Sequence, residues 1–208
     1  MAEMKKAMSE STKDILKCII VLTAIALVAG VLLGVVNFFT YVDPDVAMLE
    51  KIGETYGVGS SQIEKANDRV INKSGEKSYV NSCFVVYETA AKGKIKTVVY
   101  LATGSGAYSG TVQLLFSVTD GVVDSVSVYS SSETSGIGSK VLSDTNLSKY
   151  KGIVLSDVDV SSITASGGEA KKDGAYVSGA TKTTKGVLSA LKAVAYSYMQ
   201  YENKGATK

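Results

Sequence analysis

The chain has no histidine and only two cysteines among its 208 residues, and these absences exclude whole classes of chemistry. Without histidine there is no Ser-His-Asp or Cys-His nucleophilic catalysis. Histidine-ligated zinc and haem held by a proximal histidine are excluded as well. Two cysteines cannot supply the four thiolates that an iron–sulfur cluster usually takes, and there is no Cys-x-x-Cys-His for haem attachment. Cys18 lies in an apolar block and Cys83 in a distant strand-like run, so the two are not expected to form a disulfide, and Cys83 reads as a small core residue. Charge of one sign is also scarce. The net charge is +2, with lysines and glutamates scattered, too little for a nucleic-acid surface.

Apolar residues, by contrast, are concentrated. Residues 19–39 are apolar apart from Thr23 and Asn37. That matches the ~20 residues a spanning helix needs and exceeds the ~7–15 of a signal-peptide core. No small-residue cleavage site follows it, and Cys18 precedes the apolar core, so no lipid-attachment site is formed. Lys5, Lys6, Lys13 and Lys17 come before the span. Residues 40–45 carry no lysine or arginine and include Asp43 and Asp45. The positive-inside rule then keeps the N-terminus cytoplasmic and exports the chain beyond residue 40. The expected organisation is a cytoplasmic tail at 1–17, a transmembrane helix at 18–39, a helical lead-in at 40–78, one domain at 79–201 and a polar tail at 202–208.

In the lead-in, Asp43-Pro44 reads as an N-cap followed by proline at the first helical position of a helix reaching Glu54, with Gly57 and Gly59 ending it. Ser61 and Glu64 fit a capping box, and Ile63, Ala66, Val70 and Ile71 form a partial helical stripe. From Tyr79 the period changes to that of strands. Residues 83–87, 95–101, 111–118 and 122–129 are β-rich runs, with a turn at Ala91-Lys92-Gly93-Lys94 and the hairpin dipeptide Asp120-Gly121. Residues 141–147 read as a short helix, while 153–160, Ile163 and 175–177 read as further strand segments. Val187, Leu188, Leu191, Val194, Ala195 and Tyr198 lie on one face of a C-terminal helix that Thr183 or Thr184 can cap. The fold class is therefore α+β: an antiparallel sheet packed by helices, behind a single N-terminal anchor.

Three clusters could carry chemistry. Ser178-Gly179-Ala180-Thr181 stands at the start of the C-terminal helix, where free N–H groups and the helix dipole favour a phosphate, with Lys182 and Lys185 adding charge. On its own it reads equally as an ordinary helix start capped by threonines. Ser132-Glu133-Thr134-Ser135-Gly136-Ile137-Gly138-Ser139-Lys140 is a glycine-containing loop after a strand, fit either for a simple turn or for holding an anion or the edge of a planar ligand. Gly106-Ala107-Tyr108-Ser109-Gly110 lies between two strands, where Tyr108 either stacks on an aromatic ring or closes a hairpin.

In order and spacing these three runs resemble the FMN-binding domain of the G subunit of the Rnf electron-transport complex, and of the related C subunit of the sodium-translocating NADH:quinone oxidoreductase. That family has a Gly-Tyr-x-Gly stretch, here Ala107-Tyr108-Ser109-Gly110. It has a Glu-Thr-Pro-Gly-Leu-Gly motif, here Glu133-Thr134-Ser135-Gly136-Ile137-Gly138, and a Ser/Thr-Gly-Ala-Thr motif, here Ser178-Gly179-Ala180-Thr181. The similarity spans residues 79–200. It implies an extracytoplasmic domain carrying FMN joined through its phosphate, as a phosphoester, to Thr181. Ser178, Gly179, Ala180, Lys182, Glu133, Thr134, Gly136, Gly138 and Tyr108 would surround the cofactor. It further implies a redox subunit of an ion-translocating oxidoreductase, incomplete as an enzyme by itself, with no catalytic side chain and no metal. Flavin- and iron–sulfur-carrying subunits, membrane lipid and an FMN transferase would be its partners. Two positions depart from the family. Ser135 stands where proline is usual. Ala175 stands where an aspartate usually precedes the modified threonine by six residues, the nearest acid being Asp173. Other classes are a free-standing extracytoplasmic flavoprotein and a pilin-like surface protein. Against the second, no acidic residue lies between Ile15 and Val42, where type IV pilins carry a glutamate.

Overall fold

A computed structural model describes residues 2–41, 43–166 and 175–206. The chain divides into two compact units, Met1–Ile52 and Gly53–Lys208. The first is dominated by α1 (Ala2–Thr40). Its side chains from Ile15 to Phe39 are exposed, and its apolar stretch is long enough and apolar enough to cross a membrane. Within that stretch the Thr23 hydroxyl donates to the Ile19 carbonyl at 2.8 Å, so this polar group is satisfied inside the helix, as hydrocarbon surroundings require. α2 (Pro44–Tyr56) begins where the Asp43-Pro44 pair placed it: an Asp43 carboxylate oxygen accepts the Asp45 N–H at 2.9 Å.

The second unit is built on a five-stranded antiparallel sheet in the order β1-β2-β3-β4-β5. Its strands are β1 (Ile63–Lys65), β2 (Tyr79–Tyr87), β3 (Ile95–Ala107), β4 (Gly110–Thr119) and β5 (Val122–Ser131). The four long strands fall on the four β-rich runs of the sequence. Asp120 and Gly121 have φ of 51° and 78°, the pair of positive values that a tight two-residue hairpin between right-twisted strands needs. Two short helices, α3 (Gly138–Val141) and α4 (Asp144–Leu147), follow the sheet, and α5 (Thr181–Ala206) closes the unit. The apolar stripe of α5 is buried in one cluster with Tyr100 and Ala102 of β3 and Leu114 and Phe116 of β4. This is the main core. Cys83 is part of it, and burial pushes its thiol up to about 12. A maleimide at pH 7 is therefore expected to label Cys83 only after denaturation; rapid labelling of the native protein would contradict this packing.

Where the structure departs from the sequence expectation, a specific pairing is responsible. The stripe beginning at Ile63 is not helical. Ile63–Lys65 adds to the edge of β2, with Ile63 opposite Val86 and Lys65 opposite Phe84, and the Ala66 N–H continues to the Cys83 carbonyl at 2.8 Å. An unpaired β2 edge would leave a row of orphan backbone groups, and pairing it outweighs a weak helical period. Residues 153–160 form no strand beyond a single bridge from Val154 to Val122, followed by a 3-10 turn at Leu155–Asp157. The Ile153 carbonyl accepts from the Val123 N–H at 2.9 Å and the Leu155 N–H donates to the Gly121 carbonyl at 2.8 Å, and beyond these Lys73 donates to the Val160 and Ser161 carbonyls and Lys192 to that of Ser162. The 141–147 helix is broken into two short pieces at Leu142-Ser143, and Ala175 to Val177 is not a strand. Of the run Ala165-Ser166-Gly167-Gly168 with Lys171, Lys172 and Asp173, which reads in sequence as an exposed loop, Ala165 is buried, its N–H donating to the Ser189 hydroxyl at 3.1 Å; Ser166 is exposed, and the rest lies outside the described residues.

Candidate functional site

Helix α5 begins at Thr181, so Thr183 and Thr184 are not caps but lie in its first turn. The preceding turn is closed by the Ala180 N–H donating to the Val177 carbonyl at 3.1 Å, with Gly179 at φ 81°, a backbone conformation that a residue with a Cβ adopts only under strain. The first helical bond runs from the Thr184 N–H to the Ala180 carbonyl at 3.1 Å. The N–H groups of Thr181, Lys182 and Thr183 thus precede the hydrogen-bond ladder and stand at the positive end of a 26-residue helix.

These N–H groups border a cleft of about 360 Å³, within the size range of small-molecule sites. Its lining comes from three separate parts of the chain: Tyr108 from the β3–β4 turn; Glu133, Thr134, Ile137 and Gly138 from the loop after β5; and residues 179–183 from the start of α5. Eight of the ten expected site residues are thus gathered there. Ser178 and Gly136 are exposed neighbours that do not line it. The Tyr108 ring is 69% exposed, with the Lys182 ammonium 5.6 Å from its centroid. Ile137 is also exposed, giving the cleft two large apolar surfaces beside its polar end. The Thr181 hydroxyl is half-buried and 3.0 Å from the Tyr176 phenol oxygen.

Glu133 ties the three parts together. One carboxylate oxygen accepts from the Ser109 N–H at 2.8 Å and from the Ser109 hydroxyl at 2.5 Å. The other accepts from the Thr183 hydroxyl. Gly138 makes room for this: a Cβ there would sit 2.8 Å from the Glu133 Cβ and 3.0 Å from the Thr183 hydroxyl oxygen. Burial raises the Glu133 pKa, but the hydrogen bonds from Ser109 and Thr183 outweigh it, and the net shift is downward. A depressed carboxyl pKa contributes stability above its unfolded value, and the contribution is lost as pH falls through the folded one. Glu133→Ala leaves the Thr183 hydroxyl, 1% exposed, without its acceptor. The expected cost is about 2 kcal/mol at pH 7, shrinking as the pH falls below the ordinary glutamate range, as read by urea denaturation at neutral and at acid pH. A cost equal at both would show that the ionised carboxylate is not what holds the walls together.

Tyr108, the glycines and the helix start were singled out by type and position. Thr183, Ile137 and the Tyr176 partner of Thr181 were not. From sequence Thr183 takes a capping role because the helix is then started three or four residues late, and its bond to Glu133 spans a sequence separation that no local pattern reports.

Residues 107–195 match the family model described as the FMN-binding domain. Among solved structures the chain is similar to NqrC of Shewanella oneidensis, at 27% identity and a TM-score of 0.44, covering 59% of this chain. The chain spans 61% of that protein's length. No curated protein is similar enough to match the chain significantly. The stretch that matches the family model begins at the β3–β4 turn and ends within α5, enclosing all three walls of the cleft.

Proposed function

We propose that the chain is a membrane-anchored electron-transfer subunit of the Rnf type, carrying FMN as a phosphoester on Thr181. The observation that supports this best is the convergence of the three motif runs, far apart in sequence, on one cleft that Thr181 helps to line. The residues present suit a riboflavin phosphate. The free N–H groups and dipole of α5, with Lys182, balance a phosphate charge. Tyr108 and Ile137 offer apolar surface to a planar ring, and small residues at 179 and 180 let a bulky group approach the backbone. Bound there, FMN supplies a ring that takes up and passes on one or two electrons.

The protein's own part is to hold that ring in place and tune its surroundings. Glu133 fixes the loop and the β3–β4 turn against α5, so the walls need not be ordered on binding. The covalent link suits the topology that the charge pattern indicates. With Lys5, Lys6, Lys13 and Lys17 cytoplasmic, the domain works outside the cytoplasm, where a lost cofactor is not recaptured. In this reading neighbouring flavin- and iron–sulfur-carrying subunits supply and remove the electrons, and ion translocation belongs to the assembled complex. An FMN transferase makes the ester.

The test is the intact mass of the chain purified from its own membranes. The expected result is an increment of one FMN less one water, located by fragmentation on the peptide that contains Thr181, with further redox subunits co-purifying. An unmodified mass in the correctly matured protein would sink the proposal.

A further inference from the structure

We propose that Tyr176 is a positioning residue for flavin attachment: its phenol orients the Thr181 hydroxyl for attack on phosphorus and then holds the product ester by donating to it. This rests on the reading of Thr181 as the attachment site. The phenol oxygen is 3.0 Å from Thr181 Oγ1. Tyr176 is not among the residues lining the cleft, whereas Thr181 is, so the phenol reaches the oxygen without taking up space that a flavin phosphate needs. Its own position is fixed from two sides. Its ring packs against the main core, and the neighbouring Ala175 carbonyl accepts a hydrogen bond from the buried Asn146 side chain at 3.2 Å. That amide is held in turn by donating to the Val141 carbonyl at 3.0 Å. A threonine side chain at a helix start turns about one bond. A partner on a rigid support fixes which rotamer, and so which direction, the hydroxyl takes.

The reaction constrains what Tyr176 can do. A hydroxyl does not displace water from a phosphate monoester in water to a useful extent, so the flavin must arrive as an activated phosphoanhydride, a flavin dinucleotide. The bond from Thr181 Oγ1 to phosphorus forms, and the anhydride P–O bond breaks. The electron pair leaves on the departing nucleoside monophosphate, and the hydroxyl proton passes to solvent base. No electron is gained or lost overall. Before the step Oγ1 can both donate to and accept from the phenol. Afterwards it has no hydrogen, and only the phenol can donate, to the ester oxygen or to a phosphate oxygen beside it.

The experiment uses the full-length apo-protein in detergent with an FMN transferase and flavin adenine dinucleotide, following attachment as in-gel flavin fluorescence. Tyr176→Phe keeps the ring packing and is expected to slow attachment about fivefold, the effect of one ordinary hydrogen bond. Melting should fall by no more than the roughly 2–4 °C that one hydrogen bond of about 1 kcal/mol is worth, and the ³¹P resonance of the finished phosphodiester should shift. Attachment at the wild-type rate with an unmoved ³¹P resonance overturns the proposal and leaves Thr181 as the attachment site; flavin bound to Thr181→Ala removes the reading beneath it. Should Tyr176→Phe melt early, a ring-fluorinated tyrosine at 176 decides. It preserves packing and strengthens the donor, so a rate above wild type supports the assignment, and a rate at or below wild type overturns it.

Discussion

Thr181→Ala is expected to yield a folded protein with no flavin on a denaturing gel. The hydroxyl is half-buried and makes one hydrogen bond, to Tyr176, so its loss costs the fold about 1 kcal/mol. The loss of covalent flavin is complete because no neighbour can replace it. Thr183 is 1% exposed and its hydroxyl is engaged by Glu133. Thr184 is 0% exposed and its hydroxyl donates back to the Ala180 carbonyl. Both are buried with their oxygens committed to other protein groups, whereas Thr181 is only half-buried and lines the cleft. Ser178 is exposed but does not line the cleft, so Ser178→Ala should keep its flavin. The pair of variants reads the site directly under ultraviolet light. A fluorescent band surviving in Thr181→Ala would place the ester elsewhere, and retention of the band in both variants would mean that the helix start is not where phosphate is held.

The parts of this site that could be read from sequence are those whose chemistry is local. A hydroxyl beside a glycine turn and an amphipathic stripe announces a helix start, and Asp120-Gly121 between alternating runs announces a hairpin. The sheet was legible for the same reason, since β2 to β5 are joined by short turns and each strand's partner is its neighbour in sequence. What escaped depends on partners remote in the chain. The segment at Ile63 has a weak helical period of its own and becomes a strand only because β2 has a free edge. The run at 175–177 looks like a strand but finds no strand beside it; its Ala175 carbonyl pairs with Asn146 instead. Glu133 was recognised by its motif, yet its work, joining Ser109 to Thr183, could be seen only once three distant runs had been brought together.

The same distinction applies to the contact on which the site's geometry depends most, the crossing of β3 and α5 at two glycines. Neither Gly104 nor Gly186 belongs to any motif. A Cβ added at Gly104 would overlap the Gly186 carbonyl oxygen outright and sit 2.8 Å from its carbon and 3.0 Å from the Ala190 Cβ. These neighbours are backbone and a buried alanine on a helix locked by its own hydrogen bonds, so they cannot turn aside. The helix must lift from the sheet. Gly104→Ala is therefore expected to cost about 3 kcal/mol or more, lowering the melting temperature by roughly 10 °C. Gly186→Ala should cost less. Its Cβ would meet the Ala107 Cβ at 2.9 Å and Val112 Cγ2 at 3.1 Å, far shallower overlaps than that of a Gly104 Cβ with the Gly186 carbonyl oxygen, and alanine regains about 1 kcal/mol of helix propensity. Gly205→Ala has open space around it and serves as a neutral control. Lifting α5 at Gly186 also displaces the turn before it, which carries Thr181 and Thr183, so the Gly104 variant should lose flavin attachment along with stability. If Gly104→Ala melts with the wild type, the helix does not lie on the sheet at this distance, and the placement of Thr181 against Glu133 and Tyr108 goes with it.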